Sequence, residues 1–361
     1  MSYIAAIETA VPKHCHARKA FADFFANATE DAATKRKIKI ISDKTTIKTR
    51  YSVLKDYSLP AEEFEFYEKN NTLLPEPSLS KRMMVYKEEA IKLSIDAVKK
   101  IKNIDAIKNS ITHLITVTCT GMFAPGLDIE LIRSFNLNAN IERSSINFMG
   151  CNDAILALKN ADTICKSNAD AKVLIVCTEL CTLHFQTRFN DDYLLSNLLF
   201  ADGCAAVLVT AKADYMQEDK LLKIKSFNSL ILHNGYNDMA WQLSETGFIM
   251  NLTSYVSALI KKNIKIMLDS LAINPTKINY WAIHPGGKKI VDDFFETLQL
   301  DKSKATESYD VLKNYGNMSS PTVLFVLKQV IEKAVSKKGE SIFSAAFGPG
   351  LSIETMQLVY A

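Results

Sequence analysis

The 361-residue chain carries 43 basic and 40 acidic side chains, a net charge of +3, with 48% apolar and 23% charged residues. That balance fits a soluble globular protein with ample core and excludes a bulk bias towards nucleic acid or a membrane surface. Seven cysteines without framework spacing suggest reduced thiols and a cytoplasmic setting, and neither a leader nor an apolar run of transmembrane length is read from the chain.

Residues 2–9 alternate loosely and predict a first strand, ended by Pro12. His14-Cys15-His16 looks like a metal cluster, but three consecutive strand residues cannot all face one ion and no second ligand pair accompanies them, so no metal site is expected. Residues 35–51 concentrate cations among isoleucines. They form either the solvated face of a helix followed by a turn or a mouth that attracts a phosphate-bearing substrate. Residues 56–79, with Pro60, Pro75 and Pro77, read as loop-rich. Ser80 is expected to cap a helix over 81–101, where Met84, Ala90, Ile91, Ile95 and Val98 recur at helical spacing. A strand at 111–118 runs into Cys119-Thr120-Gly121, and Pro125-Gly126 precedes a helix to about residue 136.

Residues 145–149 predict a short apolar strand that turns at Gly150 into Cys151, with an apolar helix starting at once. A thiol at a helix N-terminus lies near free N–H groups and the positive end of the macrodipole, which favours the thiolate. The bland alternative is a structural core cysteine. Residues 172–178 are almost continuously apolar, as in a strand buried on both faces, and helix 191–199 and strand 204–210 complete the first half. The second half is read as strand 223–232, helix 251–272, strand 278–284, helices 288–299 and 320–336, and strands 341–347 and 352–359. Small residues, an apolar helix and an apolar strand recur at 149–178 and 316–347. The alternation predicts a buried sheet covered by helices, and the repetition predicts two pseudo-duplicated halves in five layers, with no linker between them.

Three stretches put reactive side chains beside strand ends: Gly150-Cys151, the strand ending His284-Pro285-Gly286-Gly287, and Tyr315-Gly316-Asn317-Met318-Ser319-Ser320. Each has a structural alternative, as a core thiol, a capping histidine or a turn asparagine. Together they form a nucleophilic set: the thiolate attacks, imidazole exchanges protons and stabilises charge, and the amide orients or donates to an oxyanion.

MGC at 149–151, HPGG at 284–287, YGNMSS at 315–320 and FGPGLSIET at 347–355 resemble the type III polyketide synthases of the chalcone synthase kind, within the thiolase superfamily. DKTTIKTRY at 43–51, VLIVCTE at 173–179 and LFADG at 199–203 extend the likeness over most of the chain. The resemblance implies a thiolase-like α/β fold of two αβαβα halves, 1–212 carrying the nucleophilic Cys151 and 213–361 carrying His284 and Asn317. It also implies a homodimer. An acyl-CoA starter would load onto Cys151, malonyl-CoA would lose carbon dioxide, and His284 and Asn317 would stabilise the enolate that then attacks the acyl thioester. Repetition and cyclisation would yield a pyrone, resorcinol or phloroglucinol. A charged His284 would also hold Cys151 as thiolate. Coenzyme A thioesters are the substrates; no cofactor, metal, nucleic acid or membrane partner is implied.

The same resemblance makes Phe200 a gatekeeper between coenzyme A tunnel and cavity, with Met250 where a second gatekeeper is usually phenylalanine. Lys37 and Lys44 match positions that meet the coenzyme A phosphates, while a third such position is Ile40, beside Lys39. Cavity and substrate positions carry over to Cys119, Cys181, His184, Trp241, Ser319 and Pro349. Ala124 stands where a methionine would reach the partner's cavity. Trp241, where plant enzymes have glycine, fills volume that Met250 and Ala124 release elsewhere. Three rival readings share Cys, His and Asn or the fold: a ketoacyl-carrier-protein synthase III making one condensation, a non-catalytic thiolase-fold subunit, and a cysteine protease. FGPGLSIET disfavours the first, the complete reactive set the second, and the strand–helix pattern the third.

Overall fold

The computed structural model describes residues 1–213, 221–253, 255–335 and 337–361. Its thirteen strands are β1 (Tyr3–Ala10), β2 (His14–Ala17), β3 (Thr49–Ser52), β4 (His113–Thr118), β5 (Glu142–Asn147), β6 (Lys172–Leu180), β7 (Asp202–Thr210), β8 (Leu222–Ile231), β9 (Met239–Ser244), β10 (Gly247–Leu252), β11 (Tyr280–Ile283), β12 (Ser341–Gly348) and β13 (Ser352–Tyr360). Nine of them form one mixed sheet in the order β11-β12-β13-β8-β1-β7-β6-β4-β5.

The seam at β1 and β8 is short, joining only Tyr3 to Lys223 and Ile4 to Leu222. On either side the pairing repeats. β1–β7 and β7–β6 are antiparallel and β6–β4 parallel; β8–β13 and β13–β12 are antiparallel and β12–β11 parallel. The first half adds β5, parallel to β4, as a free edge. This is the duplication expected from 149–178 and 316–347: helix Asp153–Ser167 precedes β6 as helix Thr322–Lys333 precedes β12.

Side-chain alternation builds the layers. Val173, Ile175 and Cys177 of β6 face a central core with Ile342 and Ala346 of β12, and that core holds both helices, 153–167 and 322–333. Leu174 and Val176 face an outer core with helix Leu79–Lys99 and helix Leu127–Phe135. Phe343, Ala345 and Phe347 face a second outer core with helix Val256–Ser270 and helix Lys288–Thr297. Strands that bury both faces read as continuous apolar runs, which is why β6 and β12 were legible. The result is helix, sheet, helix, sheet, helix.

Several local expectations change. The long helix is capped by Ser78, whose hydroxyl accepts the Lys81 N–H, because the extended backbone there aims Ser78 rather than Ser80 at the first turn. The strand before Cys151 lies at 142–147, earlier than 145–149, and every residue but Ile146 is exposed. The helix expected from 251 starts at Val256 because residues 247–252 form a hairpin with β9. Ser254, in that range, and Ser336, in the range 320–336, lie outside the described residues, as does the segment 214–220 that follows the expected 212/213 boundary. His16 is buried between Ser58 and the Leu54 carbonyl while Cys15 is exposed, so the HCH run is a strand and not a ligand set. Among the described residues no helix is long and apolar enough to cross a membrane.

Because the central layer is shared, a cavity there should weaken both halves. Leu158→Ala, in the first half, should lower stability by about 2–5 kcal/mol. The measurement is urea unfolding followed by tryptophan fluorescence, both tryptophans (Trp241 and Trp281) lying in the second half. A fluorescence transition that does not move would show that the halves unfold separately.

Candidate active site

Cys151 sits in a turn two residues ahead of helix Asp153–Ser167. Gly150 makes the turn with a φ of +111°, a conformation that L side chains avoid. The Pro349 ring covers it so closely that a Cβ at Gly150 would lie 2.0 Å from Pro349 Cδ. The FGPG run thus packs on the MGC run across the two halves.

His284 directly follows β11, its N–H donating to the Ala345 carbonyl at 2.8 Å. Asn317 joins the other half through a bridge to Phe200: its N–H donates to Leu199 O at 3.0 Å, and its carbonyl accepts the Ala201 N–H at 2.8 Å. The Asn317 amide donates a long 3.4 Å hydrogen bond to Gly286 O and accepts the Ser319 N–H at 2.8 Å. The Pro-Gly-Gly turn after His284 and the Asn317 loop are therefore in contact.

Glu179, at the end of β6, knits these loops from beneath. It accepts both the Cys119 N–H (2.9 Å to Oε2) and the Thr120 hydroxyl (2.7 Å), and it takes the Ser320 hydroxyl at 2.6 Å. Burial pushes it up to about 7, against the pull of those hydroxyls and the Cys119 N–H.

Dryness dominates the electrostatics. Burial pushes the Cys151 thiol up to about 12; hydrogen bonding from Ser319 and Asn317 opposes the rise, whereas Glu179 and Asp153 add to it. Burial alone pulls His284 down to about 3, and neither ring nitrogen has a hydrogen-bond partner. Burial thus works against the expected pair of imidazolium and thiolate, pushing both groups towards their neutral forms.

Beside Cys151 is a space of about 20 Å³ that brings together Cys119, Cys151, Cys181, Phe200, Trp241, Met250, Ser319 and Pro349. A second space, of about 30 Å³, shares Cys181, Phe200, Trp241 and Met250 and continues to His184, Phe21 and Tyr57. An aromatic block lies between them. His184 stacks on Phe248 at 4.3 Å, donates from Nε2 to Thr120 O at 2.7 Å and accepts the Phe248 N–H at Nδ1. Trp241 stands edge-on to both rings, and its indole N–H donates to Cys119 O at 2.6 Å. Both partners of His184 suit a neutral ring, and burial pulls it down to about 3.

His284 and Asn317 do not line those spaces. Gly286, next to the His284 ring, and Leu199, next to Phe200, instead line an outer groove of about 480 Å³ with Lys44, Lys288 and Lys289. Lys37 is not in its wall; it is paired with Asp191, which is. Ile40 is exposed and meets none of these spaces. Sequence reasoning missed Glu179, Asp153 and Phe248 as site residues. The available signal was an acid inside a buried run, for Glu179 in VLIVCTE and for Asp153 two residues after the nucleophile.

Residues 1–213 match the N-terminal domain of the chalcone and stilbene synthases, and residues 223–360 match their C-terminal domain. The Dictyostelium discoideum protein named "Probable polyketide synthase 1" is 30% identical over 98% of this chain, which spans 11% of that protein's length. The C-terminal type III polyketide synthase domain of Steely1, a type I/III hybrid from Dictyostelium, superposes with a TM-score of 0.89 at 28% identity, covering 99% of each chain. A polyketide synthase of the brown alga Ectocarpus siliculosus gives 0.90 at 25% identity, over 100% of this chain and 98% of that one. The 1,3,6,8-tetrahydroxynaphthalene synthase of Streptomyces coelicolor shares the fold at a TM-score of 0.87 and 22% identity, over 100% of this chain and 99% of that one.

Gly150→Ala adds one methyl where backbone conformation and Pro349 both forbid it. The variant should lose alkylation of Cys151 by iodoacetamide at least about tenfold, or destabilise the protein by roughly 1–3 kcal/mol, read by peptide mass mapping and thermal unfolding. A variant unchanged in both would show that the turn is not constrained.

Proposed function

The chain belongs to the chalcone and stilbene synthase family of type III polyketide synthases, and from that membership we propose that it loads a short acyl group from coenzyme A onto Cys151 and extends it with malonyl-CoA. Lys44, with Lys288 and Lys289, would meet the phosphates at the groove mouth, and the paired Lys37 would act at its rim through Asp191. Phe200 and Met250 would separate the groove from the cavity.

The chemistry follows from the donors. The Cys151 sulfur attacks the starter thioester and coenzyme A leaves. The carboxylate of malonyl-CoA departs as carbon dioxide, and the electron pair of the broken C–C bond becomes an enolate on the thioester oxygen. His284, with neither ring nitrogen bonded in the protein, and the Asn317 amide, bound to Gly286 O only at a long 3.4 Å and directed also to Cys151, are dry donors suited to that oxyanion. Such preorganised donors are worth about 3–4 kcal/mol each. The enolate carbon attacks the acyl-Cys151 carbonyl, the C–S bond breaks, and the Cys151 thiolate leaves while the acyl chain, two carbons longer, is carried by coenzyme A. No cofactor enters this sequence.

The observation that carries the substrate class is the aromatic block. With the space beside Cys151 reduced to about 20 and 30 Å³ by these rings, a starter of the acetyl class and a small cyclised product fit better than a long alkyl chain. A homodimer is part of the proposal: β5 leaves a sheet edge unpaired, and Met122 and Met149 are half exposed. Seven unpaired cysteines suit a reducing cytoplasm.

Incubation with malonyl-CoA and a panel of acyl-CoA starters, read by mass spectrometry, should give products one or more acetate units longer than short starters. Cys151→Ala should keep the fold and lose product on the order of a thousandfold or more. Near-normal product from that variant, or turnover only from a carrier-protein thioester, would overturn this reading. Sedimentation should report twice the 40.3 kDa chain mass, and a monomer would remove the dimer.

A further inference from the structure

Behind the Cys151 turn lies a thiol–carboxyl pair that the thioester chemistry leaves unused. The Cys119 sulfur accepts the Gly150 N–H at 3.1 Å, and its S–H donates to Asp153 Oδ2 at 3.2 Å. Asp153 begins the helix after Cys151 and is fully buried, and its Oδ1 has no hydrogen-bond partner. Carboxyl, thiol and glycine N–H thus form a link from the helix, through the end of β4, back to the turn. Pro349 presses on that turn from the other side.

The titratable groups that interact with Asp153 are Cys119, Cys151, Cys177 and Glu179. All of them carry negative charge when ionised, and no cation is among the groups that act on it most strongly. We propose that Asp153 is a positioning residue for the nucleophile: through Cys119 it holds the Gly150–Cys151 turn, and its charge decides how readily the Cys151 thiol ionises. The inference rests on Cys151 being the nucleophile. A carboxylate in this dry setting opposes a neighbouring thiolate, whereas a carboxylic acid does not. Burial pushes Asp153 up to about 8, with the Cys119 thiol and the Gly150 and Met149 N–H groups of the turn pulling the other way and Glu179 adding to the rise. Burial thus favours the uncharged carboxyl, and charging Asp153 would oppose ionisation of Cys151.

The test uses the full chain and iodoacetamide, with alkylation at Cys151 followed by peptide mass mapping from pH 6 to 10 and Cys151→Ala as the blank. Asp153→Asn keeps the shape and an acceptor for Cys119 but cannot become negative. Its alkylation profile should shift to lower pH by about one unit, roughly tenfold faster labelling at pH 9. Asp153→Ala should label slowly at every pH, because the hold on the turn is gone. A profile for Asp153→Asn that superposes on the wild type would overturn the proposal. Should that variant fail to fold, Cys119→Ala decides: it breaks the link while leaving the carboxyl, and Cys151 labelling at the wild-type rate at every pH would equally overturn it. The labelling readout does not depend on polyketide formation, so these failures are distinct from product formation by Cys151→Ala.

Discussion

A single buried carboxyl group ties the reactive loops together. Glu179 ends the central strand β6 and takes hydrogen bonds from Cys119, Thr120 and Ser320, which belong to two different loops and to both halves of the molecule. A buried carboxyl without partners is costly, so these donors are needed where they are, and their loops come with them. Cys119 in turn receives the Gly150 N–H, which ties the nucleophile turn to the same hub. The Asn317 loop reaches the turn after His284 through Gly286. The arrangement is thus built from the strand ends upward rather than from the surface loops inward.

The second theme is desolvation. The same burial that makes Cys151 hard to ionise and keeps His284 neutral removes the water that would weaken a hydrogen bond to a developing oxyanion. His284 is suited to donating a hydrogen bond to such an oxyanion, since its ring nitrogens have no competing partner in the protein. A site that stabilises the thiolate poorly at rest concentrates its interactions on charge that appears during reaction.

Much of the architecture was legible because layers leave a mark on sequence. β6 and β12 bury both faces and read as unbroken apolar runs, while helices Asp153–Ser167 and Thr322–Lys333 precede them with small residues at their starts. The hairpin of β9 and β10 was not legible. Trp241, Phe248 and Met250 face the cavity from it, but Leu243, in phase with Trp241, is exposed and breaks the alternation in β9. β2 and β3 are four residues each, too short for a periodic signal. The choice of Ser78 over Ser80 as cap turned on backbone direction, which residue type does not encode.

Cys151, His284 and Asn317 could be singled out from sequence because each stands beside glycines that a turn requires, and the runs around them carry a family resemblance over most of the chain. The sequence alone also determined the duplication and the absence of charge bias. Only the tertiary structure decided the state of those groups. Proton affinity depends on how much water and which charges surround a side chain, and Asp153, Glu179 and Cys119 converge on Cys151 from strands and helices far apart in the chain. It likewise decided the size of the cavity. Whether Trp241 and His184 fill that space depends on where their ring nitrogens find the carbonyls of Cys119 and Thr120, a matter of three-dimensional placement.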